Sequence, residues 1–201
     1  MGGRIKLLVA RIWAYPLWFS INRAGVAKIV AEDVDWAVRC INNAEILALD
    51  RYSQFAFLCS AELERQFRTL VHYRLGSARP LVRLILRAIY RRPETPVLHT
   101  DRIGAALFIQ HGYETIVDAE SIGEYCWINQ CVTVGATSEG RPTLGDRVRI
   151  GTGAVIVGPV TLHDGATVGP NATVVHDVGP GETVVAPQAV PVEHQEGNAR
   201  R

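Results

Sequence analysis

Four cysteines, Cys40, Cys59, Cys126 and Cys131, are spread over 201 residues with no Cys-x-x-Cys pair among them. That removes the usual ligand spacing of a zinc ribbon, and the usage is that of a reducing compartment. Charge of one sign is also lacking: the formal net charge is +1. With no basic, aromatic-interleaved motif to go with it, nucleic acid is excluded as a partner. Long apolar runs are missing as well. Leu7-Leu8-Val9-Ala10 is cut short by Arg11 and Pro16, too early for a secretory signal or a membrane span, so a cytoplasmic location is expected. The aromatic run from Ile12 to Phe19 keeps two readings. It packs on a helical domain or neighbouring subunit, or it makes peripheral contact with a membrane interface, where Trp and Tyr are favoured.

What is present is a period of six. Steps of six from Leu144 give Ile150, Ile156, Leu162, Val168 and Val174. Four residues after each comes a smaller apolar residue: Val148, Ala154, Val160, Ala166, Ala172 and Val178. Neither a helix nor an alternating strand has this period. A hexapeptide coil does: each unit is a short strand plus a turn, three units close a triangular turn, and rungs stack about 4.8 Å apart around an aliphatic column. The same step links Ile103 to Ile109 and runs through Ile122, Ile128 and Val134. Cys126 falls on the small interior position and is expected to be a buried filler. Register breaks twice, with one extra residue between Ile109 and Ile116 and four between Val134 and Leu144. Inserted residues must leave the coil, because the interior column cannot shift without exposing its aliphatics. The first break holds His111-Gly112-Tyr113-Glu114 and the second Ala136 to Pro142.

Before the coil, helices are expected from Ala24 to Asn42 and from Ala44 to Cys59. A third is capped by Ser60, with Glu62 and Glu64 in its first turn, and stopped by Gly76. Pro80 opens a fourth, Leu81 to Tyr90, with Arg83, Arg87 and Arg91 along one face. That stripe is either the solvated face of an otherwise buried helix or a basic surface for anionic lipid or a lipid-linked glycan. The expected fold is therefore α+β: a helical domain over 1–92, a parallel β-helix over 93–189 and a flexible tail over 190–201.

His111 is the sharpest candidate for chemistry. It opens a bulge in a regular coil, is followed by a glycine that permits close backbone approach, and carries the usual general base near neutral pH.

Several segments resemble the serine acetyltransferase branch of the hexapeptide acyltransferases. They are Phe108-Ile109-Gln110-His111-Gly112, Ile122 to Gln130, Val132-Thr133-Val134-Gly135, Pro142 to Asp146 and Ile150-Gly151-Thr152-Gly153-Ala154. Glu64 to Leu75 is similar to the helix before the coil in short members associated with surface polysaccharides. The resemblance implies a left-handed β-helix, a homotrimer, and acetyl-CoA bound as co-substrate in a groove between subunits without a metal. It implies His111 as the base that deprotonates an acceptor hydroxyl for direct attack on the thioester. Carried over by position, cofactor contacts fall on Gly135, Ala136, Thr137, Gly153, Ala154, Pro170 and Asn171, and acceptor contacts on Arg141 and Glu114. Pro96 stands where the family orients its histidine with an aspartate, leaving Asp101, Glu114 and Asp118 as the nearest carboxylates. A related β-helix, the gamma-type carbonic anhydrase, needs metal histidines five residues apart, and no such pair exists here. The acceptor is L-serine or a sugar hydroxyl. The opposing reading is a non-catalytic trimeric scaffold.

Overall fold

The computed structural model describes residues 2–61 and 64–190; the tail expected from residue 190 lies, beyond Val190 itself, outside them. The coil forms as the period demands. Its first face stacks Val97–Leu98, Ile116–Val117, Thr133–Gly135, Val155–Val157 and Thr173–Val174 as parallel strands. The second stacks Arg102–Ile103, Ser121–Ile122, Thr143–Leu144 and Thr161–Leu162, with Val178 bridging to Leu162. The third stacks Phe108–Ile109, Trp127–Ile128, Arg149–Ile150, Thr167–Val168 and Thr183–Val184. Each strand turns one aliphatic inward, and Ile128, Val134, Ile156 and Leu162 are wholly buried, a gain of about 1.5–3 kcal/mol for each fully covered side chain. Cys126 is buried among them, as expected.

The ladder tolerates insertions. Thr143 pairs with Thr161, eighteen residues on, which is three clean hexapeptides; Ser121 pairs with Thr143 across the longer second break, and register holds. At the first break the sequence misleads by one residue. Val117, fully buried, pairs with Val134 in the column, whereas Ile116 is 45% exposed. The bulge thus carries two extra residues, and the next step, Val117 to Ile122, is one short. Adjacent β-branched aliphatics leave the periodic pattern unable to choose between them.

The helices depart more from expectation. Helix α1 (Gly2–Arg23) continues through Pro16. It buries Ala14, Leu17 and Ile21, with Trp18 tilted 5.0 Å from Phe55, so this face packs on the helical layer. Its opposite face leaves Ile5, Leu8, Val9, Ile12, Tyr15 and Phe19 exposed. Helix α2 (Ala27–Ile41) ends at Asn42, whose left-handed backbone returns an N–H to Val38. The expected second helix is broken into α3 (Ala44–Leu47) and α4 (Arg51–Ser60), because Asp50 caps the latter by accepting from Ser53 N–H. Ser60 is the last residue of α4, with its hydroxyl on Phe57 O, and does not cap α5 (Phe67–Arg74). Pro80 opens α6 (Pro80–Ile89) as expected. Only Leu86 of α6 is buried, and Leu81, Leu84, Ile85 and Ile89 are exposed, so the helix around the arginine stripe is not an otherwise buried one.

One ionic knot ties the layers. Asp33 of α2 and Arg74 of α5 form a buried bidentate pair at 2.9 and 3.0 Å. Arg74 also donates to Ile103 O and Gly104 O, and Asp33 Oδ1 accepts from Ala106 N–H at 2.9 Å. Burial pushes the Asp33 carboxyl upward while Arg74 and the coil amides pull it down. A paired charge placed so deeply is tolerable only because every partner is in place.

Candidate active site

The first break lies on the edge where the third face turns into the first. Gln110 N–H keeps the ladder with Ile128 O at 2.8 Å and Cys131 N–H reaches Tyr113 O at 2.7 Å. Between them His111, Gly112 and Glu114 adopt φ of 62°, 62° and 49°. This left-handed backbone costs a non-glycine residue about 1–2 kcal/mol. At Gly112 a side chain is also excluded sterically, since a Cβ would come 2.9 Å from Gln66 Cβ and 3.0 Å from Pro96 Cδ.

Gln66 is the other half of this joint. Buried just ahead of α5, it donates from Nε2 to Ile109 O at 3.0 Å and to Glu64 Oε2 at 2.8 Å. Burial pushes the Glu64 carboxyl up to about 7, against the lowering effect of that amide. Gln110 is fixed separately, with Oε1 accepting from Trp127 Nε1 at 3.2 Å. Fixing both neighbours sets the half-buried His111 on the wall of a cleft of ≈ 240 Å³, together with Arg65, Gln66, Pro93, Thr95 and Tyr113. Among the described residues no hydrogen bond reaches the His111 ring. Asp101 and Asp118 are held by Arg141, at 2.5 and 3.6 Å, and exposed Glu114 turns its N–H to Thr95 Oγ1 at 3.2 Å.

Four candidate cofactor positions recur on the same edge in later coils. Gly153 has φ 71°, and a Cβ there would fall 2.3 Å from Asn171 Oδ1, so the two positions are in contact. Ala154 is interior, while Pro170 and Asn171 are exposed. The amides of Gly153, Ala154 and Asn171 already donate within the coil, to Gln130, Gly151 and Thr152 carbonyls.

Gly135, Ala136, Thr137 and Arg141 lie on the next edge, where the first face turns into the second. Gly135 ends a first-face strand, exposed Ala136 follows, and Thr137 and Gly140 close the loop through N–H to O bonds of 2.9 and 3.3 Å. Arg141 is engaged by three carboxylates, with Glu120 at 2.9 Å in addition to the two aspartates. One chain therefore gathers His111, Gly153, Ala154, Pro170 and Asn171 on one edge and the second break on the other, with the first face between.

Arg65, Gln66, Pro93 and Thr95 were not singled out as site residues from the sequence. Nothing local marks Gln66; only the docking of α5 on the bulge does. Among the described residues no cluster of three potential metal ligands occurs.

Residues 141–176 match the family described as bacterial transferase hexapeptide (six repeats). The serine acetyltransferase of Helicobacter pylori is 37% identical over 93 residues, 44% of this chain and 54% of that one. That of Mycobacterium tuberculosis is 36% identical over 88 residues, 41% of this chain and 38% of that one. The chain thus spans about half, or less, of the length of these curated relatives. Among solved structures, the Neisseria gonorrhoeae serine acetyltransferase in complex with serine superposes with a TM-score of 0.61 at 22% identity, over 90% of this chain and 83% of that one. The Vibrio cholerae enzyme gives 0.63 at 21%, over 90% and 79%. With helices leading into a prism of stacked hexapeptides, the chain shares its fold with these serine acetyltransferases and resembles the curated ones over somewhat less than half of its length.

Proposed function

We propose that this chain is an acetyl-CoA-dependent O-acetyltransferase with His111 as general base. The observation that carries the reading is the bulge: a strained, doubly braced turn in a regular coil that sets one imidazole on an open cleft. Left-handed backbone also turns other corners of the coil, at Ala106, Tyr125, Cys131, Arg147 and Asn171, so it is the two extra residues and the brace from Gln66 that set this turn apart.

The chemistry is a direct transfer. A ring nitrogen of neutral His111 takes the acceptor hydroxyl proton as the oxygen attacks the thioester carbonyl carbon. The C–S bond then breaks, the acetyl ester is released, and the proton leaves with the CoA thiol. Because the candidate residues occupy two edges, a complete site needs two copies. In a homotrimer the His111 edge of one protomer meets the Gly135 to Arg141 edge of the next. Acetyl-CoA lies in that groove, its thioester against Gly135, Ala136 and Thr137 and its arm along Gly153, Ala154, Pro170 and Asn171. The exposed Ala136 N–H, which has no backbone partner among the described residues, suits the thioester oxygen. Arg141 and Glu114 flank the acceptor, either L-serine, as the relatives' names suggest, or a sugar hydroxyl. No described helix is long and apolar enough to cross a membrane, and the exposed aromatic face of α1 is suited to peripheral contact only.

His111→Ala, checked for unchanged melting temperature, is expected to lower thiol release from acetyl-CoA by about 10²–10⁴-fold. Undiminished turnover would overturn the assignment. Saturating CoA at a hundred times Kd should stabilise the protein by about 2.7 kcal/mol, whereas an inert scaffold would not respond.

A further inference from the structure

The helical layer holds a cavity that acetyl transfer to a small neutral hydroxyl would not need. It measures ≈ 450 Å³ and is walled by Arg65, Arg68, Arg91 and Arg92 with Trp13 and Pro93; among the described lining residues none is acidic. Arg68 lies over the Trp13 ring, 5.8 Å from its centroid, and its Nε is buried without a hydrogen-bond partner among the described residues. Burial, and then the charge of Arg65, hold its pKa below the ordinary guanidinium range. A buried donor left unmade is costly, and the guanidiniums of Arg68, Arg91 and Arg92 around one space repel. A multivalent oxyanion relieves both costs, and phosphoryl oxygens match the arginine fork.

The cavity is not isolated. Through Arg65 and Pro93 it shares a wall with the His111 cleft. Through Trp13 and Ser60 it shares another with an apolar groove of ≈ 750 Å³ that includes Ile5, Val9 and Phe57. The order along this trough is apolar, cationic, then proton-accepting.

We propose that the acceptor bears a phosphoryl or diphosphate group, seated among Arg68, Arg91 and Arg92, that anchors it while its hydroxyl lies at His111. The hydroxyl end rests on the acetyl-transfer reading, whereas anion binding stands apart from it. A free amino acid lacks the anchoring group. A diphosphate-linked sugar has it, whether carried by a nucleoside in solution or by a lipid whose chain enters the apolar groove.

The test starts with calorimetric titration of inorganic pyrophosphate into the full chain. One site per chain is expected, weakened at least tenfold by the double variant Arg91→Ser, Arg92→Ser. The charge-matched pair Arg23→Ser, Arg39→Ser, exposed and away from the cavity, should keep the affinity. No binding, or equal weakening by both pairs, overturns the site. Acetyl transfer by the wild-type protein is then compared for a free sugar, the same sugar on a nucleoside diphosphate, and the same sugar on a lipid diphosphate in detergent. A diphosphate-linked form should gain at least tenfold in kcat/KM; a free sugar or L-serine used equally well overturns the anchoring role. Ile5→Ser with Val9→Ser should impair only the lipid-linked acceptor if the lipid is the source. Pyrophosphate bound as expected with no transfer to any acceptor would sink the transferase reading and leave the anion site standing.

Discussion

Between residues 143 and 174 the coil repeats a single packing solution, an aliphatic inward at every sixth position and a turn between. Between residues 2 and 90 no two helices solve the same problem: α1 packs aromatics on α4, α2 delivers a buried carboxylate to the coil, and α6 buries only Leu86. The coil is stabilised by many small, similar contributions. The helical layer depends on a few dissimilar contacts, and the sharpest of them, Asp33 with Arg74 and Gln66 with Ile109, end on the turn and the strand that lead into His111. Repetition gives a frame that absorbs insertions, and irregular contacts decide what the inserted residues face.

That contrast can be broken at its joint. Asp33→Ala leaves the Arg74 guanidinium buried and unpaired, which should cost about 3–5 kcal/mol. Denaturant melts measure the loss, and hydrogen exchange should show α2 and α5 opening while coil amides stay protected. Uniform loss of protection in both regions would mean the two are one cooperative unit.

The coil side is sharpened by a pair of neighbours. Val117→Ala removes two buried methyl groups from the column and should cost about 2 kcal/mol, whereas Ile116→Ala, at an exposed position, should stay within about 0.5 kcal/mol. Equal costs would put the register of the first break elsewhere.

The smallest effect is expected in the helical layer's response to pH. The Glu64 carboxyl is raised in the folded protein from an ordinary 4.5 to about 7, so the folded state holds a proton that the unfolded chain has released. Its contribution is full below about 4.5 and is lost as pH rises through about 7. Wild-type stability should therefore fall by about 1–2 kcal/mol between pH 5 and pH 8. Glu64→Gln, which cannot ionise, should flatten that part of the profile in thermal melts; an unchanged slope would locate the titration in another group.

Much of the coil was legible because a solenoid couples each residue only to its neighbours in adjacent rungs. His111 was legible for the same reason in reverse, as a residue the period could not place. Ile116 was misassigned because two aliphatics in a row satisfy the same rule. The broken second helix came from Asp50 outcompeting a continuous apolar face, and Ser60 resembled a cap because it sits where one helix stops and another follows. Gln66 and the arginine-lined cavity carried no periodic signal, since their partners lie on elements distant in the chain.

By itself the sequence determined the prism, its inward column and the two places where the chain must leave it, because those follow from spacing along one strand of text. Tertiary structure alone decided that the two departures occupy different edges, that Arg141 is taken up by three carboxylates, and that the residues leading into α5 and the segment after α6 wall the histidine's cleft. Periodicity is a local property and survives in one dimension. Which surfaces meet is set by packing between segments that the chain order keeps apart.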